Sequence, residues 1–182
     1  MNPMERLAEY AEPVTRHPYI LRVRRNHGLE HATIHLLNRQ SYQLSGRSSD
    51  SGFVLLGDVP TEKVESAVQE AISRMKAGER KLAIHPNCGT NLVTTGFLAA
   101  AVAFLGFAGR GLRRSWERFP TMVLAMMAVV LLSMPLGMNL QRYFTTEGDL
   151  GDMELVSVRR ETKTMPFSGQ QVTLHRIVTA QN

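Results

Sequence analysis

Apolar and polar positions recur with different periods along this chain, and each period predicts a different kind of element. From Pro18 to Asn38 the apolar positions Ile20, Val23, Ile34 and Leu37 fall at helical spacing, which predicts one long helix with Pro18 in its first turn. Two short β-rich runs, YQLSG and GFVLLG, flank the polar RSSDS and predict a two-stranded hairpin. Pro60 and Thr61 then open a second helix through Met75 that stops near Gly78, with Val64, Val68 and Ile72 on one face. The KLAIHP run predicts a short strand that delivers His85 to a turn.

Beyond residue 91 the polar face disappears. Leu92 to Gly109 is an uncharged run of 18 residues, about 27 Å as a helix. Phe119 to Leu140 offers 22 more, about 33 Å, with Pro135 and Gly137 as candidate kink positions. Together they predict a helical hairpin through a membrane. Gly96, Ala99, Ala100, Ala103 and Gly106 line one side of the first helix and suit close packing against a neighbouring helix, equally an oligomer contact with a second copy or a membrane-protein partner. After an acidic turn with Glu147, Asp149, Asp152 and Glu154, the runs MELVSVRRETKT and GQQVTLHRIVTA flank PFSG and predict a β-hairpin. The fold class expected is α+β. Residues 1–17 form a leading segment and 18–91 a small domain of helix, β-hairpin, helix and strand; 92–141 are the transmembrane hairpin and 142–182 the closing β-hairpin.

Composition narrows the function classes. At 43% hydrophobic and 20% charged residues the chain is too apolar for intrinsic disorder. The net charge of +5 comes from scattered basic residues and from Arg110, Arg113, Arg114 and Arg118 between the two apolar runs. That placement fits membrane charge, and with no basic stripe interleaved with aromatics it argues against nucleic acid. The start carries Glu5, Glu9 and Glu12 and no apolar core, unlike a signal peptide. The positive-inside rule would keep the arginine loop cytoplasmic. Export of the residues before the first apolar run without a signal is unusual, however, and this places the soluble parts on the cytoplasmic side of the cell's inner membrane.

A single cysteine, Cys88, excludes an intrachain disulfide and an all-cysteine metal cage, so a metal site would need histidines. The stretch NHGLEHATIH supplies them. His27 and His31 lie one helical turn apart and can bind one ion from the same face, with Glu30 beside them. These groups occupy a stripe otherwise reserved for apolar side chains, where burial without partners costs kilocalories. A shared cation is the economical partner. His35 extends the series toward the edge of the stripe as a reserve ligand. A second block, HPNCGTN, has Pro86 and Gly89 to shape a turn that aims His85 and Cys88 at one point, with Thr90 or Asn91 as cap of the helix that follows. The donor set expected for a metal, zinc by ligand type, is therefore His27, His31, His85 and Cys88.

HGLEHATI followed by HPNCGTNLV and an immediate apolar helix resembles the YqhQ-type bacterial membrane proteins, a family of predicted metal-dependent enzymes. Their pattern runs HG-x-EH-x-T, then HP-x-CGT; it is matched here by His27, Gly28, Glu30, His31, Thr33, His85, Pro86, Cys88, Gly89 and Thr90. The resemblance implies a membrane-bound metal-dependent enzyme, although those relatives carry further membrane segments. Two functions stay open. The H-x-x-E-H spacing matches zinc hydrolases of the inverted motif, in which Glu30 would be the catalytic base acting on a metal-bound water. Alternatively the four ligands close a structural site in a non-enzymatic membrane subunit, with Glu30 bonded to a ligand histidine.

Overall fold

The structure is a computed structural model that describes residues 2–108, 112–164 and 169–181, and the side chains of these except 107 and 112–116. The chain divides into two compact units, Met1–His85 with Arg142–Asn182, and Pro86–Gln141.

The first unit contains α1 (Pro3–Thr15), α2 (Pro18–Asn38), β1 (Ser45–Ser49), β2 (Gly52–Leu56), α3 (Thr61–Lys76), a 3₁₀ turn (Arg80–Ala83), β3 (Glu154–Thr164) and β4 (Gln171–Ala180). The strands make one antiparallel sheet in the order β1-β2-β4-β3. The closing hairpin is thus not a separate layer: β4 pairs with β2, placing Phe53 opposite Ile177 and Leu55 opposite His175. Helices α2 and α3 cover the face that carries Phe53, Leu55 and Ile177, and Leu29, Leu37, Val64, Val68 and Met75 complete the core with Leu150 and Met153. Full burial of each such side chain contributes about 1.5–3 kcal/mol. From Arg24 to Leu37 helix α2 is buried on nearly every side, which explains why its apolar periodicity is weak in the sequence.

Three elements differ from the sequence expectation. The leading segment forms a helix, α1, started by a capping box in which Asn2 Oδ1 accepts from the Glu5 N–H and Glu5 Oε2 accepts from the Asn2 N–H, both at 2.8 Å. Strand β1 lies later than YQLSG and takes in most of the presumed loop RSSDS, because Ser49 pairs with Gly52 across a tight turn and the register then runs back to Ser45 opposite Leu56. KLAIHP is not a strand. Residues Arg80–Ala83 wind as a 3₁₀ turn, with Leu82 N–H to Glu79 O at 3.1 Å and Ile84 N–H to Lys81 O at 3.2 Å, and the carbonyls of Ala83 and Ile84 bond histidines instead of a neighbouring strand. The PFSG turn falls on positions mostly outside the described residues.

His175 is a buried histidine in the middle of β4, and neither ring nitrogen meets a partner at hydrogen-bond geometry. Burial lowers its pKa, Arg160 on β3 adds to the shift, and Asp58 and the Val59 backbone oppose it. Because the folded pKa lies below the unfolded one, the unfolded chain takes up the proton first as pH falls. Stability is therefore full above the ordinary histidine range and declines as pH drops below about 6.5. His175→Leu should flatten that decline in melting curves of the detergent-purified protein between neutral and mildly acidic pH; an unchanged slope would contradict this assignment.

The second unit is a helical hairpin of α4 (Gly89–Phe107) and α5 (Leu112–Leu140). Both are long and apolar enough to span a membrane: windows in Gly89–Gly106 and Glu117–Thr145 have mean hydropathy 1.4 and 2.1. They turn large apolar side chains outward, among them Phe97, Phe104, Leu105, Leu131 and Leu132. That distribution fits lipid as the surrounding solvent. Polar groups lie between the helices: Thr95 Oγ1 and Ser133 Oγ share a hydrogen bond at 2.7 Å, and Gln141 Nε2 donates to Asn91 Oδ1 at 2.9 Å. Gly137 gives Asn91 room for close approach, and Gly106 does the same for Met122, so part of the small-residue stripe serves packing within this chain. Helix α4 begins at Gly89 with Cys88 as its N-cap, rather than Thr90 or Asn91. Arg110 and the side chains of Arg113 and Arg114, on which the orientation argument rests, lie outside the described residues.

Candidate metal centre

Helix α2 brings two of the expected ligands together by spacing alone. The rings of His27 and His31 lie one turn apart with centroids at 4.4 Å, edge to face. The 3₁₀ turn supplies the third: His85 follows it, and its ring centroid is 5.7 Å from that of His31 and 4.7 Å from that of His35. Four imidazoles thus form a continuous cluster within the first unit. His31 and His85 are buried, and His27 and His35 are half-buried.

The orientation of each ring is fixed by a backbone carbonyl. His27 Nδ1 donates to Thr145 O at 2.9 Å, and His31 Nδ1 donates to Ala83 O at 2.8 Å. A carbonyl oxygen only accepts, so both Nδ1 atoms carry the proton and Nε2 is the lone-pair nitrogen in both rings. His35 is bonded in the opposite sense, with Nε2 donating to Ile84 O at 3.0 Å, which leaves Nδ1 as its lone-pair atom. The Ala83 and Ile84 carbonyls together clamp the segment before His85 onto α2. The pKa of His85 is lowered to about 4, first by burial and then by the nearby His35 and His31, so this ring is neutral at pH 7 and able to act as a donor.

Around these rings the segment 143–149 is stitched to α2. The Arg24 guanidinium, buried, donates to the carbonyls of Thr15 at 3.0 Å, Tyr143 at 3.2 Å and Thr146 at 2.9 Å, with the Glu147 carboxylate 3.6 Å away. Burial is the main cause lowering the Arg24 pKa, which Glu147 opposes. Arg25 Nε donates to Asp149 O at 3.0 Å, and Asn26 Nδ2 bonds Ser49 O at 2.9 Å. At Gly28 the Glu147 carbonyl comes so near that an added Cβ would collide with it, and the Ala83 Cβ would stand 3.1 Å away. Gly28 is what lets both ring-orienting segments approach the helix.

Glu30 is buried on the flank of α2 that faces β1. Its Oε2 accepts a hydrogen bond from the Ser48 hydroxyl, and Gly46 leaves the space its carboxylate fills. Cys88 belongs to the second unit, where it is buried and its Sγ accepts from the Thr90 N–H at 3.4 Å. It follows His85 by three residues, which limits the Cα separation to about 11 Å. His27, His31 and Cys88 carry donors that could hold a metal ion. Neither Ser48 nor the Thr145, Ala83 and Ile84 carbonyls could be singled out from sequence, because a backbone carbonyl has no residue-type signature and Ser48 sits in a run of like residues.

The sequence matches the domain of unknown function DUF6391 over residues 22–158, which takes in most of α2, the 3₁₀ turn, the HPNC turn and the helical hairpin. It is also 40% identical over 95 residues to an uncharacterised protein of Picosynechococcus sp., a match covering 46% of this chain and 46% of that relative. The chain thus matches less than half the length of that relative. No solved structure matches. The YqhQ-type resemblance rests on the HG-x-EH and HP-x-CGT residues alone. The match across α2, the imidazole cluster and the apolar hairpin shows the kinship: the chain belongs to the DUF6391 family.

Proposed function

We propose that this is a membrane-anchored metal protein in which His27, His31, His85 and Cys88 hold one transition-metal ion, zinc by donor type, next to the bilayer. The observation that carries this reading is the pair of Nδ1–H bonds from His27 and His31 to carbonyls. Ligating histidines characteristically donate their second ring nitrogen in this way, which fixes the tautomer and raises ligand basicity. Three imidazoles and one thiolate make a tetrahedral set of the kind zinc takes in closed sites. The outward apolar surface of α4 and α5 supports a bilayer-spanning hairpin; we propose in addition that the first unit lies on the cytoplasmic side of the inner membrane.

With four protein donors the ion is structural: it fastens α2 to the HPNC turn where the chain enters the membrane. A second reading, a metal-dependent hydrolase of the kind the YqhQ resemblance implies, draws support from the H-x-x-E-H spacing. In that case His85 or Cys88 would leave a position for water and Glu30 would take its proton. The bond from Ser48 to Glu30 favours the structural reading, since it engages the carboxylate on the β1 side.

Metal analysis and X-ray absorption on detergent-purified protein test both. We expect one zinc per chain with one sulfur among four ligands, and a cobalt-substituted spectrum that added azide does not change. An azide-dependent spectrum would favour the hydrolase, and Glu30→Gln should then keep the metal while removing turnover. Absence of any stoichiometric metal would end both readings.

A further inference from the structure

Helix α1 is amphipathic the wrong way round for a surface helix of a soluble domain. Its acidic side, with Glu5, Glu9 and Glu12, faces the cleft shared with Arg24, Arg142 and Tyr143, while Leu7, Tyr10 and Val14 point outward. These three recur at helical spacing and are 54%, 84% and 65% exposed, and no residue of the helix is buried. A surface helix ordinarily turns such a stripe to the core. An outward stripe of two aliphatic side chains and a tyrosine calls for a cover.

The position of α1 identifies the cover. The Tyr143 hydroxyl donates to Glu5 Oε1 at 3.3 Å, and the Arg24 guanidinium holds the Thr15 carbonyl at 3.0 Å at the other end of the helix. Tyr143 is three residues beyond Leu140, the last residue of α5, a reach of about 11 Å. The helix is thus pinned to the segment that continues directly from the second apolar span. Its three acids lie on the flank that lines the cleft with Arg24 and Arg142, and exposed Arg6 stands one turn before Tyr10. Tyrosine with flanking arginine is the pattern of side chains that settle at the boundary between headgroups and acyl chains.

We infer that α1 is an interfacial helix that lies in the phospholipid bilayer boundary through Leu7, Tyr10 and Val14. The inference rests on the membrane-spanning reading of α4 and α5. By this account the chain meets the membrane in three places, two spans and one helix lying flat, and α1 with Arg24 braces the metal-bearing helix α2 against the lipid surface.

The test uses the full chain reconstituted in phosphatidylcholine vesicles, with Trp116→Phe as background and Tyr10→Trp as reporter. Flotation with the vesicles after alkaline washing checks the spans; failure there would remove the membrane reading itself. In protein that floats, the indole at position 10 should lose more than about half its emission in vesicles of brominated lipid and resist aqueous iodide. Glu9→Trp in the same background, on the flank that lines the cleft, should show no such lipid quenching. Quenching of the position-10 reporter by iodide and not by bromolipid would overturn the inference. So would protection from both quenchers, which would identify a protein cover such as a second copy.

Discussion

Replacing His31 with alanine is expected to empty the metal site and loosen the first unit in one step. The ring contributes a lone-pair nitrogen next to that of His27, and its Nδ1–H holds the Ala83 carbonyl, so the substitution removes a proposed ligand and frees the segment that presents His85. Loss of an orienting partner alone typically costs 10- to 100-fold in metal affinity, and loss of a ligand should exceed about 100-fold. Because binding energy at such a site is also folding energy, the melting temperature should fall with metal content, and a chelator should lower the wild-type melting temperature toward that of the variant. Metal-to-protein ratios after gel filtration, measured beside melting curves, check this. Exposed His17 at the start of α2 provides the control, and His17→Ala should retain full metal. Full occupancy in His31→Ala would mean that the ion sits elsewhere.

Gly28→Ala should destabilise the protein strongly although alanine is the better helix former. In a solvent-facing helix the exchange would gain about 1 kcal/mol. Here the new methyl would meet the Glu147 carbonyl, with the Ala83 Cβ at 3.1 Å on its other side. Neither neighbour yields easily: the first is backbone bonded through its own N–H to the Arg24 carbonyl at 3.0 Å, and the second belongs to the turn that orients His31. Overpacking of this kind costs about 1–3 kcal/mol, occasionally more, and it must also exceed the propensity gain. A net loss of about 2 kcal/mol would lower the melting temperature by roughly 4–8 °C for a chain of this size. Metal affinity should fall as well, since Thr145 and Ala83, the carbonyl partners of His27 and His31, flank the clash. A higher melting temperature in Gly28→Ala would show that the segment 143–149 does not lie against α2.

The sequence by itself determined those features that depend on local spacing. Helix α2 begins at Pro18 and ends at Asn38 where its pattern places it, because proline at the first turn and the periodic apolar positions are local signals. The two apolar runs became helices for the same reason, and the i, i+4 spacing of His27 and His31 was enough to put both rings on one face. Everything that crosses the chain was decided only in the tertiary structure. The β4 to β2 pairing joins residues more than a hundred positions apart, and neither strand carries a mark of its partner. KLAIHP has strand composition, yet the imidazoles of His31 and His35 take its carbonyls and it winds as a 3₁₀ turn. The lone-pair atom of each ring, the role of Gly28 in admitting the segment after the membrane, and the engagement of Glu30 by Ser48 all depend on side chains meeting distant backbone. Spacing along one helix names the donors; only the carbonyls and hydroxyls brought in from elsewhere determine which way each donor points.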